Sequence, residues 1–207
     1  MTPRETVRQG YDAVAHAYLE HRAKDSEDIH LLGELESRLP DGARVLDLGC
    51  GAGVPIAQRL AHRFKVTGMD FSYAQIEMAR TAVPNAAFIQ ADMIEADLGE
   101  ACYEGVCSYY AIIHIPPEHH RATLAKVHRA LVPGGLALLC LGANDIEEDT
   151  TDDYHGEPMY WSHFDGETYL AMLQDVGFTI DQDWLVSDAT CAGAEHLFVL
   201  VSKKASP

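Results

Sequence analysis

Three acids and three glycines are spaced along the sequence in a pattern that suits binding of a small polar ligand. Residues 45–55 read VLDLGCGAGVP, in which an apolar run leads through an acid into glycines at alternate positions. Two later apolar runs are also followed by an acid. Glycine lets the main chain lie against a ligand without steric conflict, and carboxylates accept hydrogen bonds from hydroxyl and amino groups. The residues of this pattern are Asp47, Gly49, Gly51, Gly53, Asp70 and Asp92.

Two cofactors compete for this pattern. A nicotinamide dinucleotide needs a pyrophosphate cradle of the form G-x-G-x-x-G, but in both possible frames the last glycine is replaced by valine or isoleucine. S-adenosylmethionine carries no phosphate and presents an amino acid, a ribose and a base. Asp47 could order the loop or attract an ammonium group, Asp70 could accept both ribose hydroxyls, and Asp92 could bind an adenine amino group. The pattern therefore favours S-adenosylmethionine.

Each position also has a purely structural interpretation. The glycines could form a tight turn and nothing more, and Asp92 could begin a turn. Asp70 could be an acid at the start of a helix, although Ser72 is the better cap for that helix. The ligand hypothesis rests on all three acids occurring together.

Composition predicts a single soluble domain. The chain has 207 residues, is 47% hydrophobic and carries a formal net charge of −17, which argues against a nucleic-acid substrate. No run reaches the length of a membrane span, so we expect no membrane association. The cysteines form no C-x-x-C pair, which indicates a reducing cytoplasm and no structural metal. They are Cys50, Cys102, Cys107, Cys140 and Cys191.

Apolar runs of strand length alternate with helical patterns, which predicts an α/β fold with a mainly parallel sheet and helices on both faces. Strands are predicted at 43–48, 65–70, 86–90, 103–110, 135–141, 178–186 and 195–202. Helices are predicted at 4–22, 26–38, 54–63, 72–82, 117–131 and 166–176. Residues 142–164, acidic and then aromatic, are predicted to be an inserted loop. Ligands of such sheets bind beyond the carboxyl ends of the strands, where the acids fall.

Four segments resemble the motifs of class I S-adenosylmethionine-dependent methyltransferases, in the small-molecule branch of type 11 or 25. They are VLDLGCGAG, VTGMDFS, QADM and LVPGGLALL. The resemblance covers nearly the whole chain; Glu104 departs from it where the family usually has Asp. It implies a Rossmann-like, doubly wound, seven-stranded sheet in the order 3-2-1-4-5-7-6 with strand 7 antiparallel. It also implies a single domain over 1–207, with 1–40 as a helical lid and 142–164 on the acceptor side.

The same resemblance assigns roles toward S-adenosylmethionine. The glycine turn would hold the methionine portion, Asp70 the ribose, and Asp92 the adenine amino group. Phe71 and Met93 would flank the adenine ring. The backbone of Tyr109 would lie near the methionine amino group, and Tyr18 would close over that end. The cofactor set is therefore Tyr18, Asp47, Gly49, Gly51, Gly53, Asp70, Phe71, Asp92, Met93 and Tyr109.

Methyl transfer is an in-line displacement, so positioning matters most, and a phenol, alcohol or ammonium acceptor also needs a base. His114 follows the fourth strand and is the best candidate base, although it could merely shape the pocket. His119 and His120 are predicted to face solvent. The remaining aromatic and imidazole candidates could contact the acceptor or belong to the core. The acceptor set is Tyr11, Tyr110, His114, Tyr154, Tyr160, Trp161 and His163, with no metal.

We therefore expect a cytoplasmic methyltransferase, monomeric or homodimeric, acting on an oxygen or nitrogen of a small-molecule metabolite, including those of secondary metabolism. Three alternatives stay open. They are a non-catalytic S-adenosylmethionine-binding or partner-binding module, an NAD-linked oxidoreductase, and an aminopropyl transferase. The last usually has acids at the fourth-strand end, where this chain has Tyr109, Tyr110 and His114.

Overall fold

The computed structural model describes residues 1–22, 25–188 and 193–205; Cys191 lies outside the described residues. Helices and strands alternate as the sequence predicts. The helices are α1 (Pro3–His21), α2 (Glu27–His30), α3 (Leu32–Arg38), α4 (Ile56–Leu60), α5 (Tyr73–Ala82), α6 (Pro117–Ala130) and α7 (Gly166–Val176). The strands are β1 (Arg44–Leu48), β2 (Lys65–Asp70), β3 (Ala87–Gln90), β4 (Tyr103–Ser108), β5 (Leu131–Gly142), β6 (Ile146–Tyr154), β7 (Glu157–His163), β8 (Phe178–Ser187) and β9 (Glu195–Lys203).

In the described parts of the chain, seven strands form one sheet in the order β3-β2-β1-β4-β5-β9-β8. The first five pair in parallel, and β9 runs antiparallel to both β5 and β8. Since β8 and β9 are the sixth and seventh strands of this sheet along the chain, the predicted order 3-2-1-4-5-7-6 is confirmed. The order reverses between β1 and β4, so ligands are expected beyond the carboxyl ends of these strands.

The sheet is covered on both faces because its strands bury both sets of alternating side chains. On β5, Leu138 packs with the helices α3, α4 and α5, whereas Leu139 packs with α6 and α7. Core side chains therefore cover both faces of the sheet, which leaves the ends of the strands as the place for a site. Across the described residues, no helix is long and apolar enough to span a membrane.

Residues 142–164, predicted as a loop, instead contain a β-hairpin formed by β6 and β7. The prediction was wrong because β6 is acidic and mostly exposed, and so lacks the apolar alternation that signals a strand. Its partner β7 supplies the packing, with Met159 buried against Val7 of α1. Gly10 permits this contact, since a Cβ there would lie 2.8 Å from the carbonyl oxygen of Pro158.

Helix α1 crosses the carboxyl end of the sheet and is fixed on two sides. It begins with a capping box in which Thr2 and Glu5 bond each other's backbone N–H. The carboxylate of Asp12 accepts a hydrogen bond from Ser72 Oγ at 2.6 Å, which ties α1 to α5, while the hairpin packs on its other side. The helix is thereby held over the predicted ligand-binding edge.

Candidate active site

A cleft of about 1000 Å³, open mouth included, lies between α1 and the carboxyl ends of β1, β2 and β4. The structure brings most of the predicted site residues into this one cleft. Those that line it are Tyr11, Tyr18, Asp47, Gly49, Gly51, Asp70, Phe71, Asp92, Met93, Tyr109, Tyr110 and His114. The predicted residues outside the lining are Gly53, Tyr154, Tyr160, Trp161 and His163.

The glycine loop, which follows β1, has a backbone conformation that residues with a Cβ rarely adopt. Gly49 and Gly51 have φ values of 79° and 51°. A Cβ on Gly49 would lie 2.1 Å from the Cβ of Ala111, so the loop could not approach the end of β4 with any other residue there. Gly53 also has a positive φ but faces Phe88 and α5, so its part in the turn is structural packing.

Asp47 places an unpaired carboxylate oxygen at the floor of the cleft. Its side chain is 1% exposed, and Oδ1 accepts a weak hydrogen bond from the Cys107 thiol at 3.6 Å. Oδ2 bonds to none of the described residues. Burial raises the pKa of Asp47 to about 7. Such an oxygen needs a donor, and the ammonium group of an amino acid fits this requirement.

Asp70 joins the glycine loop to the start of α5. Its Oδ2 accepts from the backbone N–H of Gly51 and its Oδ1 from that of Ser72, both at 2.9 Å. Ser72 is the N-cap of α5, as the sequence suggested, because its Oγ accepts from the N–H of Gln75. Burial raises the pKa of Asp70 to about 6, against the effect of the two backbone bonds. Each carboxylate oxygen keeps lone-pair capacity for a hydroxyl in the cleft.

Asp92 is engaged by a residue that sequence reasoning missed. Its Oδ2 accepts from Arg4 of α1, at 2.5 Å from Nη2 and 3.1 Å from Nε, while Oδ1 accepts from the N–H of Ile94 at 2.8 Å. Arg4 also bonds Glu95. An adenine amino group could still donate to Oδ1. No local pattern pointed to Arg4, because the contact spans 88 residues.

His114 lies in a 3₁₀ turn, Ile112–His114, at the end of β4 and faces α1. Its Nδ1 donates to the carbonyl oxygen of Tyr160 at 2.7 Å, because a carbonyl can only accept. Nε2 therefore carries the lone pair and accepts from the Tyr11 hydroxyl at 2.9 Å. Burial lowers the pKa of His114 to about 4, so the imidazole is neutral near pH 7.

Aromatic rings surround this pair. The Tyr11 ring lies edge-on to Tyr18 and to Tyr154, with centroids 5.5 Å and 6.1 Å apart, and Trp161 lies 5.6 Å from His114. Tyr110 has a φ of 53°, and the guanidinium of Arg22 lies 5.0 Å above its ring. The end of the cleft near His114 is thus aromatic, and the buried Arg22 lies at its rim.

Two members of the predicted acceptor set serve the hairpin instead of lining the cleft. Tyr160 is buried between α1 and the hairpin, and only its carbonyl reaches His114. His163 bonds the carbonyl of Asn144 at 2.6 Å and packs against Gly142, where a Cβ would lie 2.0 Å from Nδ1. The aromatic content of the segment therefore partly reflects anchoring to the core.

The prediction that His120 faces solvent is wrong, whereas His119 is half-buried. His120 is fully buried because α7 packs on α6 there. Its Nε2 donates to the carbonyl of Ile115 at 2.7 Å, and Nδ1 accepts from the Tyr169 hydroxyl at 2.6 Å. His120 thus holds the chain directly after His114.

Gln75 and Arg22 also line the cleft and were missed by the sequence reasoning. Gln75 is 1% exposed, and neither side-chain amide atom bonds a described residue. Arg22 ends α1 and donates to Asp28 at 2.6 Å. Gln75 lies on α5 and Arg22 directly after α1, and polar residues at such positions are expected on a solvated face.

The sheet order, the glycine loop and the acids at the strand ends define the class I Rossmann-like methyltransferase architecture. Residues 45–135 match the family model described as a methyltransferase domain. Over these residues the chain is similar to the class I S-adenosylmethionine-dependent methyltransferases, a family whose cofactor is S-adenosylmethionine.

Two curated relatives are similar over part of the chain. An uncharacterized methyltransferase of Mycobacterium tuberculosis (strain ATCC 25618 / H37Rv) is 36% identical over 52% of this chain and 55% of its own length. The 27-O-demethylrifamycin SV methyltransferase of Amycolatopsis mediterranei (strain S699) is 31% identical over 65% of this chain and 57% of its own length. The chain spans about half the length of the curated relatives it matches.

The fold is also similar to solved structures. The 1,6-didemethyltoxoflavin-N1-methyltransferase of Burkholderia thailandensis, crystallised with 1,6-didemethyltoxoflavin and S-adenosylhomocysteine, superposes with a TM-score of 0.74. The match covers 99% of this chain and 91% of that chain at 21% sequence identity. At this identity the likeness shows the fold.

Proposed function

We propose that this protein transfers the methyl group of S-adenosylmethionine to an oxygen or nitrogen atom of a small-molecule metabolite, including those of secondary metabolism. The observation that carries the proposal is the Tyr11–His114 pair, in which a buried neutral imidazole lines the same cleft as the glycine loop. Two proteins similar to this chain are named as methyltransferases of small molecules, a rifamycin and a didemethyltoxoflavin.

The residues at the donor end fit the parts of the cofactor. The unpaired oxygen of Asp47 would hold the methionine ammonium group, and Asp70 would accept the ribose hydroxyls. Phe71 and Met93 would flank the adenine, with Asp92 at its amino group. S-adenosylmethionine supplies an activated methyl group on a sulfonium centre.

At the acceptor end, the chain's own groups would manage one proton. The lone pair of His114 Nε2 now accepts the hydroxyl hydrogen of Tyr11. A proton leaving the acceptor would pass to Nε2, either directly or through the Tyr11 hydroxyl. The carbonyl of Tyr160 would keep Nδ1 protonated and so fix the tautomer that can act as a base.

The surrounding elements complete the proposal. Residues 1–207 would form one domain, in which 1–40 act as a lid and 142–164 as the acceptor-side wall. Closure of both over the cleft would exclude water and align the acceptor with the methyl group. With a formal net charge of −17, the protein would act on small molecules and not on nucleic acid, as a monomer or homodimer.

Calorimetry with S-adenosylhomocysteine and NAD separates the cofactor classes. Binding of S-adenosylhomocysteine and not of NAD supports the proposal, and the reverse result overturns it. The acceptor is then sought by incubating metabolite extracts with enzyme and methyl-labelled donor and detecting labelled products by mass spectrometry. Donor binding without any labelled product would favour the non-catalytic module, whereas labelled product from an oxygen or nitrogen acceptor supports transfer.

A further inference from the structure

Gln75 is the feature of the cleft that the proposed donor assignments leave unexplained. It lies in the first turn of α5, lines the cleft and is 1% exposed. Neither Nε2 nor Oε1 bonds a described residue. Its neighbours on the buried face of the helix, Ile76 and Ala79, are apolar. Burying an unpaired amide is unfavourable, so the side chain is better explained by a bond formed with a ligand.

The surroundings of Gln75 indicate which part of the ligand it would meet. Its Oε1 lies 3.6 Å from the position of a Cβ on Gly51. The N–H of the same glycine donates to Asp70 Oδ2 at 2.9 Å. Gln75 and Asp70 therefore flank one residue of the loop, at the end of the cleft assigned to the ribose.

Hydrogen-bond capacity favours a ribose hydroxyl as the partner. An ionised carboxylate only accepts, so Asp70 satisfies the hydrogen of a hydroxyl but leaves its oxygen without a donor. An amide supplies that donor through Nε2, and it can turn about its terminal bond to present either atom. We infer that Gln75 is a second ribose-binding residue, which donates Nε2–H to a hydroxyl oxygen beside Asp70. This inference rests on the proposed function.

The first test compares Gln75→Met with Gln58→Met, a matched control because Gln58 is exposed on α4. Loss of one hydrogen bond should weaken S-adenosylhomocysteine binding about 3- to 10-fold in Gln75→Met and leave the control unchanged. The melting temperature without ligand should be unchanged or higher, because an unpaired buried amide is removed. Unchanged affinity, or a lower melting temperature that accompanies the weaker binding, would overturn the inference.

The second test identifies the group on the ligand. Wild type and Gln75→Met are titrated with S-adenosylhomocysteine and with its 2′-deoxy and 3′-deoxy analogues. The loss of affinity caused by Gln75→Met should disappear for one deoxy analogue and persist for the other. An equal penalty for all three ligands would rule out the ribose assignment. Gln75→Glu removes the donor at nearly constant size, and it should reproduce the loss for S-adenosylhomocysteine.

The two hypotheses fail in different ways. If wild-type protein binds none of the three ligands, the proposed function is wrong, and the role of Gln75 is lost with it. If wild type binds S-adenosylhomocysteine and Gln75→Met binds it equally well, only the inference about Gln75 is wrong.

Discussion

The proposed donor and acceptor ends of the cleft are built differently. At the donor end, Asp47 and Gln75 keep buried polar atoms without partners among the described residues. At the acceptor end, the Tyr11 hydroxyl donates to His114 Nε2, and His114 Nδ1 donates to the Tyr160 carbonyl. The proposed donor end therefore offers free hydrogen-bonding atoms to a ligand, whereas an acceptor that reached His114 would have to exchange or share a bond already made. Affinity for the donor and chemistry on the acceptor should accordingly respond to different substitutions.

The largest expected effect is on turnover at the acceptor end. His114→Ala removes the proposed base and should lower kcat about 100- to 1000-fold once an acceptor is known, while S-adenosylhomocysteine affinity changes less than about 3-fold. Steady-state kinetics and calorimetry measure the two quantities. His62→Ala, at an exposed position, serves as the control. A comparable loss of donor affinity in His114→Ala would contradict the separation of the two ends.

Asp70→Ala tests the donor end. It removes the carboxylate proposed to accept the ribose hydroxyls and also releases the N–H groups of Gly51 and Ser72. Calorimetry should show S-adenosylhomocysteine binding about 100-fold more weakly. Glu104→Ala is the control, because Glu104 pairs with Arg44 and does not line the cleft. Strong binding by Asp70→Ala would refute the ribose assignment.

The two ends should also respond to pH with opposite signs. The pKa of Asp47 is raised to about 7, so the folded state binds its proton more tightly than the unfolded state does. The contribution of this group to the free energy of unfolding therefore falls as pH rises from about 4 to 7. The lowered pKa of His114, to about 4, means that stability from this group falls as pH drops from about 6.5 to 4.

Urea unfolding at about pH 4.5 and about pH 6.5 measures this contrast. Wild type releases about one proton from Asp47 on unfolding across these two pH units, and Asp47→Asn does not. The free energy of unfolding of Asp47→Asn should therefore rise by about 2 kcal/mol relative to wild type between the lower and the higher pH. His114→Gln should lose a similar amount relative to wild type over the same interval. Equal pH profiles for the two variants would show that burial does not set these pKa values.

The smallest effect is expected at Arg4, which links α1 to the donor end. The Arg4–Asp92 pair is partly exposed, with side-chain exposures of 35% and 21%, so it should contribute less than about 1 kcal/mol to stability. Arg4→Met frees Asp92 Oδ2 and should tighten S-adenosylhomocysteine binding by no more than about 3-fold. If calorimetry showed S-adenosylhomocysteine affinity falling more than about 10-fold, Arg4 would itself be part of the proposed donor site.

Sequence reasoning was most successful where the signal is local. The apolar runs predicted a mainly parallel α/β sheet, and the glycines after β1 and the acids at three strand ends predicted most of one side of the cleft. The strand order came from the resemblance to the class I methyltransferases. The runs and the glycines are readable because a buried parallel strand needs a continuous apolar run, and a sharp approach to β4 needs Gly49. The same reasoning missed the acidic strand β6, since it has no apolar alternation of its own.

The sequence by itself predicted an α/β fold and the three acids at strand ends that line the cleft, because each follows from residue types within one strand and its turn. The seven-stranded order followed from the resemblance to a known family. Only the tertiary structure decided which residues meet across the acceptor end. Tyr11 and His114 are 103 residues apart, and Arg4 and Asp92 are 88 apart. Such contacts depend on how α1, the hairpin and α7 pack onto the sheet. The same packing buries His120 and keeps His163 out of the cleft. Sequence periodicity does not predict these positions, because it depends only on neighbouring residues.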